Sequence, residues 1–267
     1  MRILFPTDFS KQSIQALKET VKLNQQLNCE LVILHAYSRP YSEGFNQKGN
    51  LDQMEESVRK HFIQLSKEIP GLSAQNHSFK QVLGDIIDAV IYFAIHESIG
   101  LIVMGTKGAV GIGELFGTKT AKIIKSIDIP VIIVPKDASL MPNSKVGLAC
   151  DYSEEVPVQK LDLLNRLADS LKFELDLITL NRNEKTMTNQ EKSNRDALEA
   201  TLEKISYKSH FVKSNDVQWG LIRYAKTNGL NMITIISKNY NFMERLFHES
   251  LTKEMAFHSP IPVLVLQ

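Results

Sequence analysis

Two cysteines, one tryptophan and an aromatic share of 7% in 267 residues leave several chemistries without material. Cys29 and Cys150 lie far apart and in no metal-ligand spacing. A disulfide framework is therefore excluded as the source of stability, and a reducing compartment fits. The few aromatics are not interleaved with a basic stripe, which argues against stacking on single-stranded nucleic acid. Charge of one sign is lacking too. A net charge of +1 gives no global pull toward nucleic acid or an anionic membrane. No apolar run reaches the roughly 18 residues needed to span a bilayer. The opening MRILFPTDFS runs straight into a strand and a polar turn, without a signal peptide's apolar core. A cytoplasmic protein is expected.

Catalytic signatures are missing as well. There is no G-x-x-x-x-G-K-[ST] loop and no G-x-S-x-G elbow. The histidines at 35, 61, 77, 96, 210, 248 and 258 form no H-E-x-x-H or similar set. No residue offers itself as a general base toward a phosphate. Hydrolysis, if it occurs at all, is expected to be slow, and no catalytic residue and no protein-held metal are assigned.

What the chain does have is a duplication. Residues 101–135 overlay residues 233–267 at a shift of 132 without a gap. Thr118 falls on Ser250, Thr120 on Thr252 and Pro130 on Pro262. The glycines do not survive the shift. Ser237 stands for Gly105, Tyr240 for Gly108 and Glu249 for Gly117. Two domains follow, at 1–138 and 144–267, joined by the polar stretch KDASLMPNS at 136–144. The first carries a candidate ligand site and the second a filled one.

Each half alternates apolar strands with amphipathic helices. In the first, strands are expected at 2–6, 30–36, 77–83, 100–104 and 130–135. Helices follow Ser10, with Ile14, Leu17 and Val21 on one face, then cover 51–69, open after Asp85, and cover 118–126. Residues 37–50 read as a surface loop. The second half repeats the order, with strands at 145–150, 173–180, 208–213, 232–236 and 261–266 and helices at 155–171, 188–205, 217–228 and 246–257. This alternation implies right-handed crossovers and a parallel sheet covered by helices. The closing strands PVIIVP and PVLVLQ are apolar on both faces. Bare, they would invite aggregation, so they are expected to pair with each other.

In such sheets ligands sit beyond the carboxyl ends of the strands, where strand order reverses. Three features converge there: the PTDFS turn with Pro6 and Asp8, the strand end at His35 and Ala36, and the run from Met104 and Gly105 to Thr120. Gly105, Gly108, Gly111, Gly113 and Gly117 would let backbone approach an anion. Thr118 and Thr120 open a helix whose free N–H groups suit phosphate. Lys107 and Lys119 would neutralise charge, and Asp8 would accept hydrogen bonds from a ribose or base edge. Plainer readings stand beside these: glycines for turn geometry, Thr118 as a helix cap, Asp8 as a cap of the first helix. Asp8 has a counterpart in ACDYS at 149–153, where the glycines are gone, so part of its role is structural.

PTDFS, LVILHA, MGTKG, and GTKT before PVIIVP together resemble the universal stress proteins. The resemblance implies an α/β fold of two tandem nucleotide-binding domains, each a five-stranded parallel sheet flanked by helices, set as a pseudo-dimer. It implies ATP, with or without magnesium, as ligand of the first domain. Asp8 would meet the adenosine and Ala36 would offer its backbone to the base. Met104 and Gly105 would line the ribose, and Gly108, Gly117, Thr118 and Thr120 would hold phosphates. Eight residues separate Gly108 from Gly117, where ATP-binding members carry nine. Whether ATP, ADP or AMP is the ligand therefore stays open. The first turn also lacks the Ser-Gly-Gly-rich loop of adenylating relatives of this fold. A scaffold that keeps the fold without a nucleotide is the alternative. A small-molecule sensor built on Trp219, Tyr240 and Phe242 is a third.

Overall fold

The computed structural model describes residues 1–37, 47–106, 118–140, 145–180, 184–202, 204–236 and 261–267. These form an α/β fold in which most strands are parallel and helices flank the sheet. Two compact units divide it.

The first unit contains β1 (Arg2–Pro6), α1 (Lys11–Leu27), β2 (Glu30–Tyr37), α2 (Gln47–Glu68), β3 (His77–Leu83), α3 (Ile86–His96), β4 (Ile99–Gly105) and α4 (Thr118–Ser126). Its strand order is β3-β2-β1-β4. The β1–β2, β2–β3 and β1–β4 pairs are all parallel. Order thus reverses between β1 and β4. Ile3, Leu4, Phe5, Leu31, Ile33 and Leu101 are wholly buried, as strands covered on both faces should be.

The second unit contains β5 (Val131–Val134), β6 (Lys145–Cys150), α5 (Val158–Leu171), β7 (Glu174–Leu180), α6 (Asn189–Thr201), β8 (Tyr207–Val212), α7 (Val217–Asn228), β9 (Met232–Ile236) and β10 (Val263–Leu266). Its order is β5-β10-β9-β6-β7-β8. The closing strand of the first half is grouped here because it pairs with β10. That pairing is antiparallel, with Ile132 opposite Leu264, and it removes the bare edges that two apolar closing strands would have left.

Local chemistry explains the boundaries. Ser10 caps α1 by accepting the Ser13 N–H at 3.2 Å, and Asn28 ends it in the left-handed region at φ 48°. Thr188 and Glu191 form a full capping box before α6. Two expectations shift. The second helix begins at Gln47, inside the stretch read as loop, because Gly49 and Asn50 did not stop it. The buried face of α1 is Ser13, Ala16, Leu17, Thr20 and Val21, with Ile14 only half-buried. That face is small because the end of β4 lies against it. A Cβ on Gly105 would come within 2.9 Å of the Ala16 Cβ. The helix expected at 246–257 lies outside the described residues. Both cysteines are buried and neither is in a disulfide.

Candidate functional site

Of the site residues read from the sequence, Pro6, Asp8, Ala36, Met104 and Gly105 lie at the carboxyl ends of β1, β2 and β4. Pro6 is the buried last residue of β1. Asp8 is exposed in the turn that follows. Ala36 lies half-exposed near the end of β2. Met104 is buried and Gly105 half-buried at the end of β4. Thr118 is the first residue of α4, Lys119 is exposed and Thr120 is buried. Lys107, Gly108 and Gly117 lie outside the described residues. So do Ser237, Tyr240, Glu249, Ser250 and Thr252, which were to mark the filled hollow of the second half.

The β1–α1 turn is built in detail. Thr7 donates its N–H to the Leu34 carbonyl at 2.8 Å, extending the β1–β2 ladder past Pro6. Its hydroxyl accepts the Phe9 N–H at 3.1 Å and bonds the Ser13 hydroxyl at 2.9 Å. One Asp8 carboxylate oxygen accepts the Ser10 N–H at 3.0 Å. That local bond makes the turn and leaves the carboxylate facing outward. Phe9 is held at φ 57°, a conformation a bulky side chain adopts only when its surroundings fix it. Asp8 therefore does not cap α1. It holds Ser10, which does.

Under the turn lies an aromatic stack that motif reading missed. The Phe9 ring is 4.4 Å from His35 and 4.9 Å from His61 of α2, with Phe62 edge-on at 5.2 Å. His35 Nδ1 lies 2.7 Å from the Thr7 carbonyl. Burial pushes the His35 pKa below its usual value; the Thr7 carbonyl and Asp8 pull the other way, and His61 adds to the depression. The signal was in the chain. An aromatic residue follows the aspartate in both PTDFS and ACDYS.

The described residues thus set an exposed carboxylate, Asp8, and a half-exposed strand end, Ala36, at the side of the sheet where strand order reverses. Gly105 has a packing reason of its own, since Ala16 leaves no room for a side chain. Among the described residues no group of three or more His, Cys, Asp or Glu could hold a metal ion. Among them, too, no helix is long and apolar enough to cross a membrane.

Comparison with known proteins places this geometry. A family model described as the universal stress protein family matches residues 1–135. A universal stress protein of Methanocaldococcus jannaschii is 23% identical over 139 residues, covering 51% of this chain and 82% of its own. The crystal structure of a universal stress protein from Archaeoglobus fulgidus overlays with a TM-score of 0.73 at 19% identity, covering 100% of this chain and 96% of that one. A structure from Pseudomonas aeruginosa, described as functionally unknown, overlays at 0.59 with 14% identity, covering 99% and 92%. At these identities the two overlays speak for the fold alone.

Proposed function

The chain belongs to the universal stress protein family, and from that membership we propose that its first half binds an adenine nucleotide and signals nucleotide or stress state to a protein partner. One observation carries the reading: Asp8 and the end of β4 flank the point where strand order reverses, the place where open α/β sheets take ligands. Asp8 accepts the ribose hydroxyls, the Ala36 backbone meets the base, and Met104 and Gly105 close the ribose side. Gly108, Gly117 and the N–H groups that open α4 take the phosphates, with Lys107 and Lys119 supplying positive charge. Magnesium, where present, comes with the phosphates. The protein is a tandem of domains 1–138 and 144–267 working in the cytoplasm, with at most slow hydrolysis of ATP.

Calorimetry on the full chain tests this. Heat is expected with ATP, ADP or AMP at millimolar concentration, with or without magnesium. Gly117→Glu copies the second half and sets a carboxylate where phosphate would lie, so it should abolish the heat while circular dichroism stays unchanged. Silence of the wild type toward all three nucleotides would leave a scaffold without a nucleotide as the function.

A further inference from the structure

The Asp turn occurs twice, once with a histidine beneath it and once without. In the second half Asp151 accepts the Ser153 N–H at 3.1 Å, and Tyr152 takes φ 57°, as Phe9 does. Strand register identifies the residue that replaces the histidine. Pro6 faces Leu34 in one half and Ala149 faces Ile178 in the other. The next residues along are His35 and Thr179. The turn forms with a buried threonine at that place, so its shape does not need an imidazole. The histidine accompanies the half that keeps its glycines.

The ring's chemistry is fixed by one contact. A carbonyl can only accept, so the 2.7 Å approach to Thr7 requires the proton on Nδ1. Nε2 is then the atom that gains a proton in acid. Asp8 lies in the chain between Thr7 and Phe9, the two residues that touch the ring, and it and His61 of α2 are the charged or titratable groups near enough to act on it; on β3 its register partner is the neutral Gln81. Of these, only Asp8 attracts the imidazolium.

We propose that His35 is a positioning residue of the Asp8 site: once protonated, its ring draws the Asp8 carboxylate inward and withdraws it from a ligand's hydroxyl groups. Acid therefore weakens a ligand that uses Asp8. By linkage, such a ligand makes His35 harder to protonate by the same factor. The inference rests on the nucleotide reading for the ligand's identity but not for the coupling within the turn.

Nuclear magnetic resonance on the labelled full chain, titrated between pH 8 and 5, separates the two. In the ligand-free protein the Phe9 and Ser10 amides should titrate with the His35 ring at a shared midpoint. Asp8→Asn removes the attraction and should move the His35 midpoint down. Saturating adenosine should do the same. His35→Gln keeps a donor for the Thr7 carbonyl and cannot titrate, so the turn amides should keep their pH 8 positions and lose their acid response. Amides that do not follow His35, or a midpoint that Asp8→Asn leaves in place, overturn the proposal whatever adenosine does. Coupled amides with no response to adenosine uphold the positioning role and overturn Asp8 as the group that meets the adenosine.

Discussion

Leu264→Ala is expected to lower stability by about 2–5 kcal/mol, the cost of removing most of a buried leucine from a site that cannot collapse around the gap. Leu264 is wholly buried. It sits in the centre of β10, opposite Ile132 of β5 on one side and Thr234 of β9 on the other. Strands hydrogen-bonded on both sides have little freedom to move inward. The lost volume stays as a cavity, and the lost contacts are not replaced. Urea titration by circular dichroism measures the effect. The midpoint should fall with little change in slope, because the surface exposed on unfolding is nearly the same. A loss under about 0.5 kcal/mol, the range of ordinary surface changes, would mean that the β5–β10 seam is not packed as described.

Tyr224→Phe is expected to cost about 1.5–3 kcal/mol, the range for a hydrogen bond to a charged group. Asp176 of β7 is buried, with 2% of its surface exposed, and it accepts the Tyr224 hydroxyl at 3.0 Å. His210 Nε2 lies 3.4 Å from the other carboxylate oxygen, at ion-pair distance but without good hydrogen-bond alignment. Without Tyr224 the buried carboxylate would keep, among the described residues, His210 as its side-chain partner. The register that equates Leu34 with Ile178 also equates Val32 with Asp176. Asp176→Val therefore copies the first half at that strand position, and Tyr224→Phe removes the hydroxyl it would leave without its acceptor. A buried charged group can often be replaced by well-packed apolar groups at no net cost. The double variant should be more stable than the sum of the two single losses allows, by about 1 kcal/mol or more. Strict additivity would show that the pair does not interact.

The same tyrosine predicts an alkaline effect. Burial first, and Asp176 second, raise the Tyr224 pKa above its ordinary value. Burial raises Tyr152 likewise. An unfolded chain releases these protons near pH 10. The folded protein holds them longer, so it binds more protons there than the unfolded chain does. Stability from this source is complete below about pH 10 and is lost as pH rises beyond it. Denaturant midpoints between pH 9 and 11 should fall, and fall less steeply in Tyr224→Phe. Equal slopes would remove Tyr224 from the account.

By itself the sequence determined the alternation of strands and helices, the duplication and the family, and it named the candidate site. Each is written in residues close along the chain or in a pattern repeated at fixed spacing. The pairing of the closing strands was legible too, because PVIIVP and PVLVLQ are too apolar on both faces to stand at an edge. Tertiary structure alone decided the rest. The small face of α1 became intelligible only when Gly105 came to lie against Ala16. The contact of His35 with Thr7 joins residues 28 apart, and that of Asp176 with Tyr224 joins residues 48 apart. Such contacts depend on strand register and on where a helix crosses the sheet. Residue type at a single position sets neither, because a one-residue slip of β2 or β7 would turn His35 or Asp176 to the opposite face of the sheet.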